Sequence, residues 1–174
     1  IKNIYGRNAN IIRDDNGFVS TCLSDEFCQY LNSSGNLFTH SSGLEISLED
    51  IYVPLNLKIL DSETKTDKRT NIEDLTSALD INGILYNIVG GESSGKTALC
   101  KYLFKRYFNQ ELFPVLLGGS DINSNIRLDN IIRVVNDKIG KQYSIISISA
   151  TLEKSNNDRF ILIIDDFQKS AKRQ

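Results

Sequence analysis

Residues Ile84–Thr97 read ILYNIVGGESSGKT, and this stretch decides how the rest of the chain is read. Its last part, Gly90 to Thr97, fits G-x-x-x-x-G-K-[ST] at every specified position. Each residue type in that pattern has a physical task. Glycines let the backbone turn tightly and bring its N–H groups against phosphate oxygens. The N-terminus of a following helix adds unpaired donors and partial positive charge. The Lys96 ammonium is placed to reach the outer phosphates, and the Thr97 hydroxyl to ligate Mg²⁺. The flanks match what this cradle requires. The apolar run Ile84–Val89 predicts a buried strand, and Leu99, Cys100, Leu103 and Tyr107 recur at helical spacing after the loop. The expected phosphate-contacting set is Gly90, Gly91, Glu92, Ser93, Ser94, Gly95, Lys96, Thr97 and Ala98.

A second constellation lies downstream. Phe160–Ile164, FILII, is apolar at every position, which predicts a strand buried on both faces within a parallel sheet. Asp165 and Asp166 follow at its C-terminal end, the edge where open α/β sheets bind ligands. Asp165 is the expected second Mg²⁺ ligand, and Asp166 the expected acidic residue that orients an attacking water.

Composition sets bounds on this reading. The chain has 174 residues, 40% hydrophobic and 24% charged, as in an ordinary globular protein with room for one domain and a small appendage. The net charge of −2 argues against a polyanion partner, and no apolar run approaches the length of a membrane span. Cys22, Cys28 and Cys100 are odd in number and form no C-x-x-C pair, which fits a reducing, cytoplasmic setting without disulfides or zinc. The chain contains no Met and begins at Ile1, which leads to the expectation of a piece from a longer protein.

The remaining segments yield the following expectations. Ile1–Arg13 has no clear period, and Asp14-Asp15-Asn16-Gly17 is a turn cluster. Phe18–Leu31 places Phe18, Cys22, Phe27, Tyr30 and Leu31 on roughly one helical face, ended by Asn32–Gly35. His40, the only histidine, sits in a Ser/Thr/Gly-rich loop and reads as a surface residue. Leu44–Leu60 carries Ile51, Val53, Leu55, Leu57 and Ile59 at period two, a half-buried strand that Pro54 makes an edge strand or a bulged one. Asp61–Arg69 reads as an exposed linker that divides an N-terminal segment, 1–69, from a core, 70–174. Thr70-Asn71-Ile72-Glu73 is a capping-box signature for a helix to about Leu79, and Asn82-Gly83 turns the chain into the next strand. Leu112–Leu117 is a strand in which Pro114 argues for a sheet edge or for a place near the strand start. Leu128–Ile139 is helical in spacing, with Gly140 as its stop. Tyr143–Leu152 is compatible with helix or strand, and Asn156-Asn157-Asp158 reads as a turn.

The set Gly90–Thr97, FILIIDD at Phe160–Asp166 and alternating βα units resembles the STAND/NACHT, AAA-like branch of P-loop NTPases. LEDIYVPLNLKIL before the loop and DDFQKS after the second motif look like prokaryotic members of that branch, and the resemblance covers roughly Leu44 to Ser170. It implies a P-loop NTPase three-layer α/β sandwich around a parallel sheet, incomplete here, preceded by a small α+β segment. It implies ATP or ADP with Mg²⁺ as ligands. It further implies slow hydrolysis, self-association through the NTPase domain, and a switch role in a larger signalling or defence protein. In that branch a further strand with a polar sensor separates the two motif strands, and a phosphate-contacting Arg or His follows. The chain ends nine residues beyond Asp165, so the resemblance implies negligible turnover by this chain alone. It also implies a strand from beyond Gln174 between Ile84–Val89 and Phe160–Ile164.

Three other readings compete. A GTPase would open D-x-x-G at Asp165, but position 168 is Gln, and Thr64-Lys65-Thr66-Asp67, which matches [NT]-K-x-D, precedes the loop instead of following it. A P-loop kinase would pair the two motif strands directly and close an arginine-rich lid that this sequence does not supply. A nucleic-acid module would use Lys101, Lys105 and Arg106, or Lys169, Lys172 and Arg173; such clusters read as solvated helix faces in a net acidic chain.

Overall fold

The computed structural model describes residues 9–14, 17–35, 46–60, 67–72, 85–122, 128–145 and 160–171. His40, most of the helix expected after Thr70, and the Asn82-Gly83 and Asn156–Asp158 turns lie outside the described residues. Strands β1 (Ala9–Asp14) and β2 (Gly17–Leu23) pair antiparallel, and their ladder closes at Asp14↔Gly17. Helix α1 (Asp25–Asn32) follows, then the single turn α2 (Leu48–Ile51). Strands β3 (Asn56–Leu60) and β4 (Asp67–Asn71) form an antiparallel pair. Helix α3 (Lys96–Asn109) leads into β5 (Phe113–Gly118) and a 3₁₀ turn at Gly119–Asp121. Helix α4 (Leu128–Gln142), β6 (Tyr143–Ile145) and β7 (Phe160–Asp165) complete the order, with a 3₁₀ turn at Phe167–Ala171.

The centre is the parallel pair β5–β7, in register from Phe113↔Phe160 to Gly118↔Asp165. Side chains alternate across a strand. Leu116 and Ile163 therefore join one cluster with Leu99, Leu103, Phe104, Tyr107 and Phe108 of α3. Val115 and Leu117 face the other way, against Val135, Ile131 and Ile139 of α4. The molecule is thus mixed helix and strand with small sheets, and helices cover both faces of its parallel pair. Among the described residues no helix is long and apolar enough to cross a membrane.

The outer edge of β5 is closed by side chains instead of a strand. The Leu116 N–H donates to Gln142 Oε1 at 3.1 Å, and Gln142 Nε2 donates back to the Leu116 carbonyl at 2.6 Å. The Tyr143 hydroxyl donates to the Pro114 carbonyl at 2.5 Å. Residues 114 and 116 point their backbone groups the same way, away from β7. The N–H that Pro114 lacks therefore falls on the edge that no ladder uses among the described residues, and Pro114 also stands second in β5, so both places expected for it are met.

Several expectations give way to competing local physics. Phe18–Leu31 is not one helix. Phe18 to Leu23 belong to β2, and Ser24 starts α1 by accepting the Phe27 N–H on its hydroxyl, with Asp25 and Glu26 in the first turn. The Phe27/Tyr30/Leu31 spacing was helical, and Phe18 and Cys22 met the same period by chance; the stop at Asn32–Gly35 holds, with Gly35 at φ 82°. The Leu44–Leu60 strand shrinks to Asn56–Leu60, because Ser47 donates both its N–H and its hydroxyl to the Asp50 carboxylate and nucleates α2. Ile51 and Val53, assigned to its buried face, are 45% and 74% exposed. The linker expected over Asp61–Arg69 is strand from Asp67 on, and that strand runs through Thr70 and Asn71 up to a helical residue at Ile72, after which the expected helix leaves the described residues. Gly140 does not stop α4, which runs on until Gln142 is anchored on β5. The undecided Tyr143–Leu152 begins as strand, since Tyr143–Ile145 pair with β2. Strands from either side of residue 69 thus share one sheet, and β4 runs across that residue. Phe160–Ile164 is a strand, but Leu162 is 38% exposed, because among the described residues β7 pairs only with β5.

Candidate functional site

The loop and its helix take the shape that the sequence implied, and the strand before them does not. Gly95 adopts φ 84°, a left-handed conformation open to glycine at little cost, and α3 starts at the next residue. The first intrahelical bond runs from the Leu99 N–H to the Gly95 carbonyl at 2.9 Å. Ser93 is also left-handed, with φ 55°. Residues 91–95 are exposed, so the N–H groups of the first helical turn face solvent. Residues 85–90, by contrast, have no ladder partner, and Leu85 and Val89 are 92% and 79% exposed. Ile88 alone of that run packs against the core. A strand is stable only where another pairs with it, and an apolar run does not specify its partner.

Lys96 folds back into the loop. Its ammonium donates to the Gly90 carbonyl at 3.0 Å, the Gly91 carbonyl at 2.6 Å and the Ser94 hydroxyl at 3.3 Å. Three acceptors thus hold a positive charge inside a ring of backbone, beside a helix N-terminus. Glu92 and Thr97 are exposed, and Ala98 is half-buried.

The two parallel strands end side by side, and their turns nest. A Cβ on Gly119 would lie 2.0 Å from the Asp166 carbonyl oxygen and 3.1 Å from the Phe167 Cα. Asp166 itself has φ 53°, a conformation that Asp tolerates better than most residues. Its carboxylate accepts from Lys169 at 2.6 Å and Gln168 at 3.1 Å. The Lys169 bond, with a smaller contribution from Lys96, holds the Asp166 pKa below the ordinary carboxylate value. The expected water-orienting acid is therefore engaged by its own turn, with Lys96 in electrostatic reach. Under the same turn, Asp121 accepts the Gly118 N–H and the Lys138 ammonium, each at 2.8 Å, and ties α4 to the strand end.

Asp165 sits at the tip of β7 against the side of α3. Burial first, and then Asp165, push the Cys100 thiol up to about 12. Cys100 was assigned only a core role from the sequence. It lies four residues after Lys96 and so shares its helix face, and that spacing was the signal for it. Two further neighbours of Asp165 come from outside the motifs. Burial and then Asp165 raise the Tyr30 pKa, and the field of Asp165 reaches Lys101. Lys101, expected on a solvated basic face with Lys105 and Arg106, is only 6% exposed. Lys105 is engaged by Glu49 at 2.8 Å, and Arg106 donates to the Tyr102 hydroxyl at 3.2 Å.

No family model matches this chain, and no curated protein or solved structure matches it.

The donor set can be tested against the ligand on its own chemistry. Among the described residues no three His, Cys, Asp or Glu side chains converge as a metal cage. Mg²⁺ does not need such a cage, because it keeps several waters and takes one or two protein ligands plus phosphate oxygens. Thr97 in the first turn of α3 and Asp165 beside its second turn are of that kind.

Proposed function

We propose that this chain is the ATP-binding, slowly hydrolysing P-loop switch module of a larger protein of the STAND type. Lys96 would neutralise the outer phosphates, residues 90–98 would cradle them, and Thr97 and Asp165 would share one Mg²⁺. The ion would draw negative charge from the transferred phosphoryl group. Asp166 would act on water only after release from Lys169. The observation that carries the reading is the left-handed Gly95 opening α3, with the Lys96 ammonium held inside the loop. The position of Asp165 against the same helix supports it. A kinase-like reading would set the two motif strands side by side; among the described residues β7 pairs with β5 alone and residues 85–90 with no strand. A GTPase finds less support, since Asp67 of the guanine-type pattern stands in β4, ahead of the loop.

Calorimetric titration of the chain with ATP and Mg²⁺, and in parallel with GTP, tests the reading. ATP should bind in preference. Lys96→Ala should weaken binding by about 1.5–3 kcal/mol, the range for a lost hydrogen bond to a charged group. Equal affinity of wild type and variant would refute the assignment.

A further inference from the structure

A groove of about 430 Å³ runs along the C-terminal half of α3, at the opposite end of that helix from the phosphate loop. Its volume falls within the range of small-molecule sites, about 300–1,000 Å³. One wall is the face of α3 that carries Tyr102, Lys105 and Arg106, whose helical spacing puts them on one side. The other wall is α2 and its C-cap, with Leu48, Glu49 and Tyr52. Contacts within and across the walls build the groove before any ligand arrives. The Tyr52 N–H donates to the Leu48 carbonyl at 2.8 Å and closes the α2 turn. The Tyr52 and Tyr102 rings stack, with centroids 4.5 Å apart and planes at 19°. Lys105 donates to Glu49 at 2.8 Å and to Asn32 Oδ1 at 2.5 Å, which ties α1 and α2 to α3.

The lining has a definite chemistry. Leu48 and the two tyrosine rings supply apolar surface. Lys105 and Arg106 stand against the single carboxylate of Glu49, so the groove favours an anion. Lys105 is engaged by that carboxylate, whereas Arg106 donates to the Tyr102 hydroxyl, a neutral acceptor, at 3.2 Å. The Tyr52 hydroxyl is buried and finds no hydrogen-bond partner among the described residues. It carries a desolvation cost that a phenylalanine in the same place would not. Burial, and then Tyr102, push its pKa up to about 12, so it stays a proton donor. An acceptor brought by a ligand removes that cost. Arg106 and Tyr52 meet on Tyr102, one at its hydroxyl and the other on its ring face, which puts one small anion within reach of both.

We propose that this groove binds a small aromatic carboxylic acid, its ring against Leu48 and the tyrosine pair and its carboxylate on Arg106 and the Tyr52 hydroxyl. The ring gains from burial against other aromatic faces, and the carboxylate takes charge-assisted hydrogen bonds in a partly desolvated place. Both features are required together. An acid without a ring leaves the apolar wall in water, and a neutral ring leaves the guanidinium and the phenol without an anion. The site is independent of the nucleotide reading, since none of its lining residues belongs to the phosphate loop or to the end of β7.

Chemical-shift titration of the isotope-labelled chain, read at the backbone amides of residues 48–52 and 102–110, tests this with phenylacetate as the probe. Phenylacetate should bind saturably. Acetate, which lacks the ring, and phenethyl alcohol, which lacks the charge, should each bind at least about tenfold more weakly. Tyr52→Phe should weaken phenylacetate by about tenfold, the effect of a lost hydrogen bond to a charged group, and should melt no lower than wild type without the acid. Arg106→Gln should weaken it at least as much; where that variant fails to fold, Tyr52→Phe still decides. ATP with Mg²⁺ should not displace the acid. Absence of saturable binding overturns the proposal, as do equal affinities for phenylacetate and phenethyl alcohol, wild-type affinity in Tyr52→Phe, or displacement by ATP. A Tyr52→Phe chain that melts below wild type shows that the hydroxyl is satisfied within the fold, and overturns it too.

Discussion

Replacing Gln142 tests whether the central strand pair depends on a side chain standing in for a missing strand. Gln142 is 4% exposed, and its amide makes two bonds to Leu116, one donated and one accepted, at 2.6 and 3.1 Å. Gln142→Leu keeps most of the volume and leaves the Leu116 N–H and carbonyl facing an apolar wall. Each buried group left unsatisfied costs about 1–3 kcal/mol. The buried Leu contributes some transfer free energy in return, about 1–2 kcal/mol. The expected net loss is therefore at most about 5 kcal/mol and centred on about 2–3 kcal/mol, dominated by the orphaned groups. For a domain of this size that corresponds to a fall in Tm of roughly 5–15 °C. Gln142→Ala should lose at least as much, since it adds a cavity. Urea denaturation followed by circular dichroism, with scanning calorimetry, measures both variants. If Gln142 served only to fill space, Gln142→Leu would match wild type while Gln142→Ala did not. A Leu variant within about 0.5 kcal/mol of wild type, the range of neutral substitutions, would refute the reasoning.

Three further outcomes follow from the same geometry. Asp165→Asn should weaken ATP binding in Mg²⁺ and much less in EDTA by calorimetry; an equal loss in both would point to a folding defect. Gly119→Ala should destabilise the chain by at least about 2 kcal/mol in urea, because its Cβ would meet backbone oxygen instead of a side chain that can move. Burial alone would raise the Asp121 pKa, but Lys138 and the Gly118 N–H outweigh it and hold the value below the ordinary 3.8. A depressed carboxylate contributes stability that is complete above its unfolded pKa and is lost as pH falls through the folded one. Stability should therefore decline below about pH 4, and Asp121→Asn should flatten that decline in denaturation midpoints measured from pH 2 to 6.

The loop and the helix after it were legible because their geometry is local. The glycine at position 95 announces a left-handed turn, Lys96 and Thr97 follow it onto a helix, and Leu99, Leu103 and Tyr107 fix the face that helix buries. The two short apolar runs, Leu112–Leu117 and Phe160–Ile164, are strands within a residue of where they were read, and Pro114 stands at an edge. Side-chain period and dihedral preference belong to the residue and its near neighbours, so a sequence carries them openly.

Other features depend on partners remote in sequence. Residues 85–89, LYNIV, are apolar enough to read as a strand, yet they stand without a ladder, because pairing is decided by what lies alongside. Where two local signals compete, as at Ser24 and at Ser47–Asp50, a cap breaks a period that would otherwise have run on. α4 ignores Gly140 because the roughly 1 kcal/mol that glycine costs a helix is smaller than the gain from seating Gln142 on β5. Lys101 looked like one member of a solvated basic face. Only the fold brings the C-terminus of α1, the Tyr30 ring and Asp165 round it, and a charge can be buried where compensating groups converge from segments more than sixty residues apart on either side.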